Sequence, residues 1–160
     1  MMIGFIGAMA MVVKTMNNLF NSTFEMELRI LLLLSKVSEP CSSDRILAYD
    51  FIACYSADFQ IGDVNLHGIN SFKYGEIASR KELVTEAIKA LVIKGLIMVD
   101  VKDGYYFRIA DSGLDYINRF ESSYALEYSK SMSFVIDDYG DKNDSELMKL
   151  IQKYSIVLEG

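Results

Sequence analysis

The sequence predicts a mainly α fold of the α+β class: three helices, a two-stranded hairpin, then further helices. Three observations predict it. Apolar residues recur at helical spacing in three early segments, around 23–37, 43–55 and 76–94. Two β-rich runs, at 96–101 and 105–109, flank an Asp-Gly dipeptide. The 160 residues, 51% apolar and 24% charged with a single proline, carry no low-complexity tract. A chain of that size buries about two-thirds of its unfolded surface, so one domain with its own core is expected.

Each element has a local reason. Asn21-Ser22-Thr23 supplies N-cap side chains, and Glu25 and Glu27 place acid in the first turn, where the helix dipole favours it. Leu28 and Ile30 to Leu34 make this first helix apolar nearly all round, and Ser38-Glu39-Pro40 stops it near Val37. A second helix starts from Ser42 or Ser43 and carries Ile46, Leu47, Tyr49, Phe51, Ile52 and Tyr55. From about Ala57 to Tyr74 the periodicity lapses among Gly62, Asn65, Gly68 and Asn70, and long ordered loops of this kind tend to carry function. The third helix runs from Gly75 or Glu76 to Lys94, with Gly95 placed as its C′ residue. Asp103-Gly104 suits a type I′ turn between the strands. Asp111 or Ser112 caps the next helix, and Ser122 or Ser123 caps one that reaches about Tyr139. After the turn at 140–144, a last helix begins at Ser145.

Helix, helix, helix, two-stranded wing, helix is the order of a winged helix-turn-helix with additional C-terminal helices. On this reading residues 1–20 form an apolar N-terminal arm and 21–139 the winged-helix domain. Residues 140–160 form a C-terminal helix packed on that domain or on a partner. Met1 to Val13 is almost wholly apolar, but it has no basic region ahead of it and is shorter than the roughly 20 residues of a spanning helix. It is expected to pack on the domain or on a partner, unless Met11 or Met16 is the true start. No membrane association is expected. Two cysteines, Cys41 and Cys54, are too few for a disulfide framework, and a reducing, cytoplasmic setting fits them.

Charge argues against nucleic acid as the main ligand. Sixteen Lys and Arg against 22 Asp and Glu leave the chain at −6, whereas clustered positive charge supplies most of the affinity for a phosphate backbone. The third helix and its approach, Lys73 to Gly95, carry a net +2, with Arg80-Lys81 the one adjacent basic pair and Glu82 directly after it. The stretch from Asp111 to Gly160 carries −5. Catalytic inventories are also thin. His67 is the single histidine, neither cysteine shows metal-ligand spacing, and no phosphate loop or nucleophile elbow is present. No enzymatic activity, cofactor or metal is expected. Asp137-Asp138 and Asp141/Asp144 surround a helix end and turn, and they lack the alternation of an EF-hand loop.

Several stretches carry a resemblance. Tyr49-Asp50-Phe51, Tyr55-Ser56-Ala57-Asp58-Phe59, Asn65-Leu66-His67-Gly68, Tyr74-Gly75-Glu76, Ser79-Arg80-Lys81-Glu82-Leu83-Val84 and Lys94-Gly95-Leu96-Ile97 are the main ones. Together with Phe107-Arg108-Ile109-Ala110 and Phe120-Glu121-Ser122-Ser123-Tyr124, they resemble the middle component of bacterial ABC-three-component systems. That group includes the small accessory subunit of Lamassu-type antiphage defence. The resemblance spans about residues 28–139; Gly68 stands where the family prefers Pro, Ala57 where it prefers Gly, and Lys81 replaces an Arg. It implies a non-catalytic SMC-associated winged-helix subunit that bridges an SMC/Rad50-like coiled-coil ATPase and an effector, often a nuclease. DNA would then be reached only through the complex. Asp58, Phe59, Leu66 and His67 in the loop, with Arg80 and Lys81 at the start of the third helix, are the expected partner contacts. The alternative is a winged-helix transcription regulator, which would join Arg80, Lys81, Lys102 and Arg108 in a basic stripe on DNA.

Overall fold

A computed structural model describes residues 22–62, 66 and 73–159. The expected N-terminal arm and His67 therefore lie outside the described residues. Those described form six helices and one two-stranded antiparallel sheet in the order α1 (Thr23–Leu34), α2 (Ser43–Cys54), α3 (Lys73–Ile93), β1 (Ile97–Val101), β2 (Tyr105–Ile109), α4 (Asp111–Ile117), α5 (Ser123–Tyr139) and α6 (Asp144–Glu159).

Serines begin three of the helices. The side chains of Ser22, Ser42 and Ser122 accept from the backbone N–H of Glu25, Arg45 and Ala125, at 3.1–3.2 Å, which satisfies a donor that each first turn would otherwise leave open. α6 opens with a reciprocal box: Asn143 Oδ1 accepts from Glu146 N–H, and Glu146 Oε1 accepts from Asn143 N–H. α4 differs from expectation. Its N-cap position is Ala110, without a side-chain bond, while Ser112 donates across to the Gly95 carbonyl at 2.6 Å. α1 ends at Leu34 rather than Val37, and α3 begins at Lys73 rather than Gly75.

α3 ends as expected. Gly95 takes φ +73°, Gly95 N–H bonds the Val92 carbonyl and Leu96 N–H bonds the Leu91 carbonyl, which is a Schellman closure. The chain then turns directly into β1. β1 and β2 pair Ile97 with Ile109, Val99 with Phe107 and Val101 with Tyr105. This register gives a three-residue connection, Lys102–Gly104, instead of a two-residue type I′ turn. Packing decides between them: only this register sets Ile97, Val99, Phe107 and Ile109 on one face, and a slip of one residue would place Arg108 beside Val99. Cys41, in the segment between α1 and α2, adds a single antiparallel bridge to the outer side of β2. It exchanges both backbone bonds with Phe107, at 2.8 and 2.9 Å.

α2 lies at the centre, in contact with α1, α3, α5, α6 and β2. Ile46, Leu47, Phe51, Ile52 and Cys54 on it are all buried, as are Met26 and Ile30 to Leu34 of α1, Val84 and Leu91 of α3, Met132 and Val135 of α5, and Leu147 and Ile151 of α6. The hairpin closes one flank with Ile97 and Phe107. Gly113 lets α4 pass tightly under it, since a Cβ there would stand 2.3 Å from the Leu96 carbonyl oxygen.

Candidate functional site

The polar centre of the molecule is Asp50, in the middle of α2 and fully buried. Its carboxylate accepts from Arg29 of α1 through Nε (2.9 Å) and Nη2 (3.3 Å), from Arg80 of α3 through Nη1 (2.5 Å) and from the Tyr128 hydroxyl of α5 (2.7 Å). Four helices thus meet at one side chain. Burial by itself would raise the Asp50 pKa, but the charges of Arg29 and Arg80 and the hydrogen bonds from Tyr128 and Arg29 outweigh it and bring it down to about 2. The same burial pushes the Tyr128 hydroxyl well above its ordinary value and the Cys54 thiol up to about 11. The Arg80 guanidinium also lies over the rings of Phe51 and Tyr55, with centroids at 5.6 and 5.8 Å. The carboxylate is filled with donors and closed to water, and the neighbouring thiol is held neutral, so the cluster ties helices together and presents no reactive group.

A second polar knot joins α2 to the α5–α6 turn. Arg45 donates to the carbonyls of Lys142 (2.7 Å) and Gly140 (3.0 Å), to Asp144 (3.2 Å) and to the Tyr49 hydroxyl (2.6 Å), and Ser42 bonds Asp144. These groups line a cleft of about 810 Å³ between the Val37–Ser42 segment and the turn at 140–145. Cys41, which also lines it, has its thiol pushed up to about 12 by burial.

Of the residues expected to contact partners, the five that are described do not form one surface. Phe59 is 8% exposed and packs edge-on against Phe51, with centroids 6.2 Å apart. Leu66 is half-buried against the core, and its N–H donates to the Cys54 carbonyl at 2.9 Å. Asp58 is half-buried in the turn that follows α2, where its N–H bonds the Tyr55 carbonyl at 3.0 Å. Arg80, expected at the surface, is 1% exposed and turned into the core, while Lys81 beside it points outward. The helical phase carries the reason. Arg80 falls on the stripe of Ile77, Val84, Ala87 and Leu91, and the buried Asp50 offers its charge a partner there. Arg29 and Asp50, charged residues set among apolar neighbours in the later turns of their helices, were the sequence signal for this cluster, because charges in such places are almost always paired.

The outward face of α3 carries Lys81, Glu82, Thr85, Glu86 and Lys89. Exposed apolar side chains lie at its end and on the hairpin, where Ile93 is 85% exposed, Val101 68% and Tyr105 67%, with Met98 and Val99 also open, and on α1, α4 and α5 at Phe24, Leu114, Leu126 and Phe134. Among the described residues no group of three or more His, Cys, Asp or Glu could hold a metal ion, and no helix is long and apolar enough to cross a membrane.

The described residues thus hold a closed, buried charge cluster at Asp50 and several exposed apolar side chains, those of the hairpin among them. Residues 19–158 match the family model of the ABC-three component (ABC-3C) system Middle Component 2, and the chain belongs to that family, as an accessory component of such a system. Neither a curated protein nor a solved structure matches it.

Proposed function

We propose that this chain is a non-catalytic bridging subunit that links an SMC/Rad50-like coiled-coil ATPase to an effector, a nuclease in the simplest arrangement, in a cytoplasmic antiphage defence complex of the Lamassu type. The observation that carries it is where the exposed apolar side chains sit. Val99, Val101 and Tyr105 lie exposed together on one face of the hairpin, and surface of that kind is stable in water when a partner covers it. Membership of the Middle Component 2 family supplies the partners' class, the other components of the system. The winged-helix reading belongs to the same proposal. α1, the Cys41 bridge, α2, α3 and the hairpin follow the order of that fold, with Cys41 in the place of its short third strand.

Direct DNA reading is the second possibility, favoured by exposed Lys81 and Lys89 on α3 and Arg108 on the hairpin. Against it, Glu82 and Glu86 share the outward face of α3, and Arg108 is engaged with Asp100 at 3.3 Å; phosphate contacts want unopposed cations. One pair of measurements separates the readings. Co-expression with an SMC/Rad50-like ATPase and an effector from the same system should give a complex that copurifies through this chain. The purified chain alone should leave duplex DNA unshifted at moderate salt. A sequence-selective shift by the isolated chain, without complex formation, would replace the bridging reading with the regulator.

A further inference from the structure

We infer that the free edge of β1 is a docking site for an extended strand of another component of the system, one with apolar side chains at alternate positions. The inference rests on the bridging reading and specifies how one partner is held. In an antiparallel pair, residues opposite each other alternate between exchanging both backbone bonds and directing them away from each other. Phe107 gives its N–H and C=O to Cys41, on the far side of β2. Its register partner Val99 must therefore point its own N–H and C=O the opposite way, off the outer edge of β1, and by the same alternation so must Val101. Among the described residues no backbone group bonds the N–H or C=O of either. This is half a ladder, and its hydrogen-bonding complement is a strand.

The side chains agree. Val99, Val101 and Tyr105 extend the face that begins with buried Ile97 and Phe107, so the apolar face of the hairpin continues past the core into solvent. An added strand with alternating apolar residues would widen that face by one row while its polar residues stayed outside. Edge strands of natural proteins are ordinarily guarded by lysine, proline or an inward charge. β1 is Ile-Met-Val-Asp-Val, and its one charge, Asp100, is held across the sheet by Arg108. The edge is thus left open over the residues whose backbone is unpaired.

The test uses the full chain, free and in complex with the other components. Residue-resolved hydrogen exchange should show the amides of Val99 and Val101 exchanging rapidly in the free chain and becoming strongly protected in the complex. The amides of Met98 and Asp100, already bonded to β2, should be slow in both. Val99→Pro removes an outward N–H and no internal ladder bond, so the variant should melt close to wild type and bind the partner about tenfold more weakly, or worse. Val101→Thr, which keeps strand propensity but removes apolar surface, should weaken binding in the same direction. A complex that forms with Val99 and Val101 still exchanging freely, or a folded Val99→Pro chain that binds at full strength, overturns the edge-docking inference and leaves bridging standing. Failure of the wild-type chain to form any complex removes both. Concentration-dependent protection of these amides in the chain alone would give the edge to a second copy instead.

Discussion

Asp50 shows how much depends on a single side chain. Four hydrogen bonds from three other helices converge on it, and truncation would leave two buried guanidiniums without their shared anion. Asp50→Ala should lose about 3–5 kcal/mol, read as a fall in the urea midpoint, whereas Lys81→Ala, one residue from Arg80 but solvated, should stay within about 0.5 kcal/mol of wild type. The same carboxylate makes the fold acid-sensitive. Its pKa is held at about 2, below its ordinary value. The stabilisation is therefore complete above about pH 4 and is lost as pH falls through that window toward 2. The expected loss is about 2 kcal/mol between pH 5 and pH 2, measured by denaturant titration at each pH. Arg80 was visible in the sequence as a cation, and its phase on the α3 stripe was visible too. What could not be read was its partner, 30 residues away on a different helix, and so it stood as a surface residue beside Lys81.

At the scale of elements, local chemistry was the legible part. Serine caps and the glycine after α3 act within a few residues of the structure they determine, and each lies where the pattern implies, whereas α1 ends at Leu34, well before the Pro40 expected to stop it. Elements set by distant packing were less legible. The hairpin's existence follows from its β-rich runs, but its register, and hence its three-residue turn, is decided by which side chains reach the core. The turn after α2 is another such case. Ile61 N–H bonds the Ser56 carbonyl and Gln60 N–H the Ala57 carbonyl, closing it as a glycine-type cap would, yet Gln60 occupies the left-handed position with φ 61°. A β-carbon is disfavoured there. Gln60→Gly should therefore stabilise the chain by about 1 kcal/mol, net of the added freedom of the unfolded chain, seen as a rise of a few degrees in thermal midpoint.

Across the whole molecule, charge and shape divide the labour. The acidic balance of the chain predicted a poor DNA ligand, and the outward face of α3 mixes both signs rather than gathering one. Partner surfaces were the least legible feature. The loop motif drew attention to Asp58, Phe59 and Leu66, but Phe59 packs on Phe51 of α2 and Leu66 bonds the Cys54 carbonyl at its end. The apolar overhang of the hairpin could not be separated from core in a linear pattern, since Val99 and Ile97 read alike until the end of the core between them is known. Replacing Tyr105 with Asp should leave the fold's melting behaviour nearly unchanged and reduce copurification with the other components, because that side chain lies beyond the core it continues.

The two thiols offer timepieces for this architecture. Cys41 is stitched to β2, while Cys54 sits under Arg80 at the end of α2, and both are buried and held in the unreactive protonated form. An alkylating reagent can reach either one only when its surroundings part. In a Cys54→Ala chain the remaining sulfur would record every excursion of the hairpin away from the helices. In a Cys41→Ala chain it would record rupture of the interior itself, so the first should be labelled well before the second.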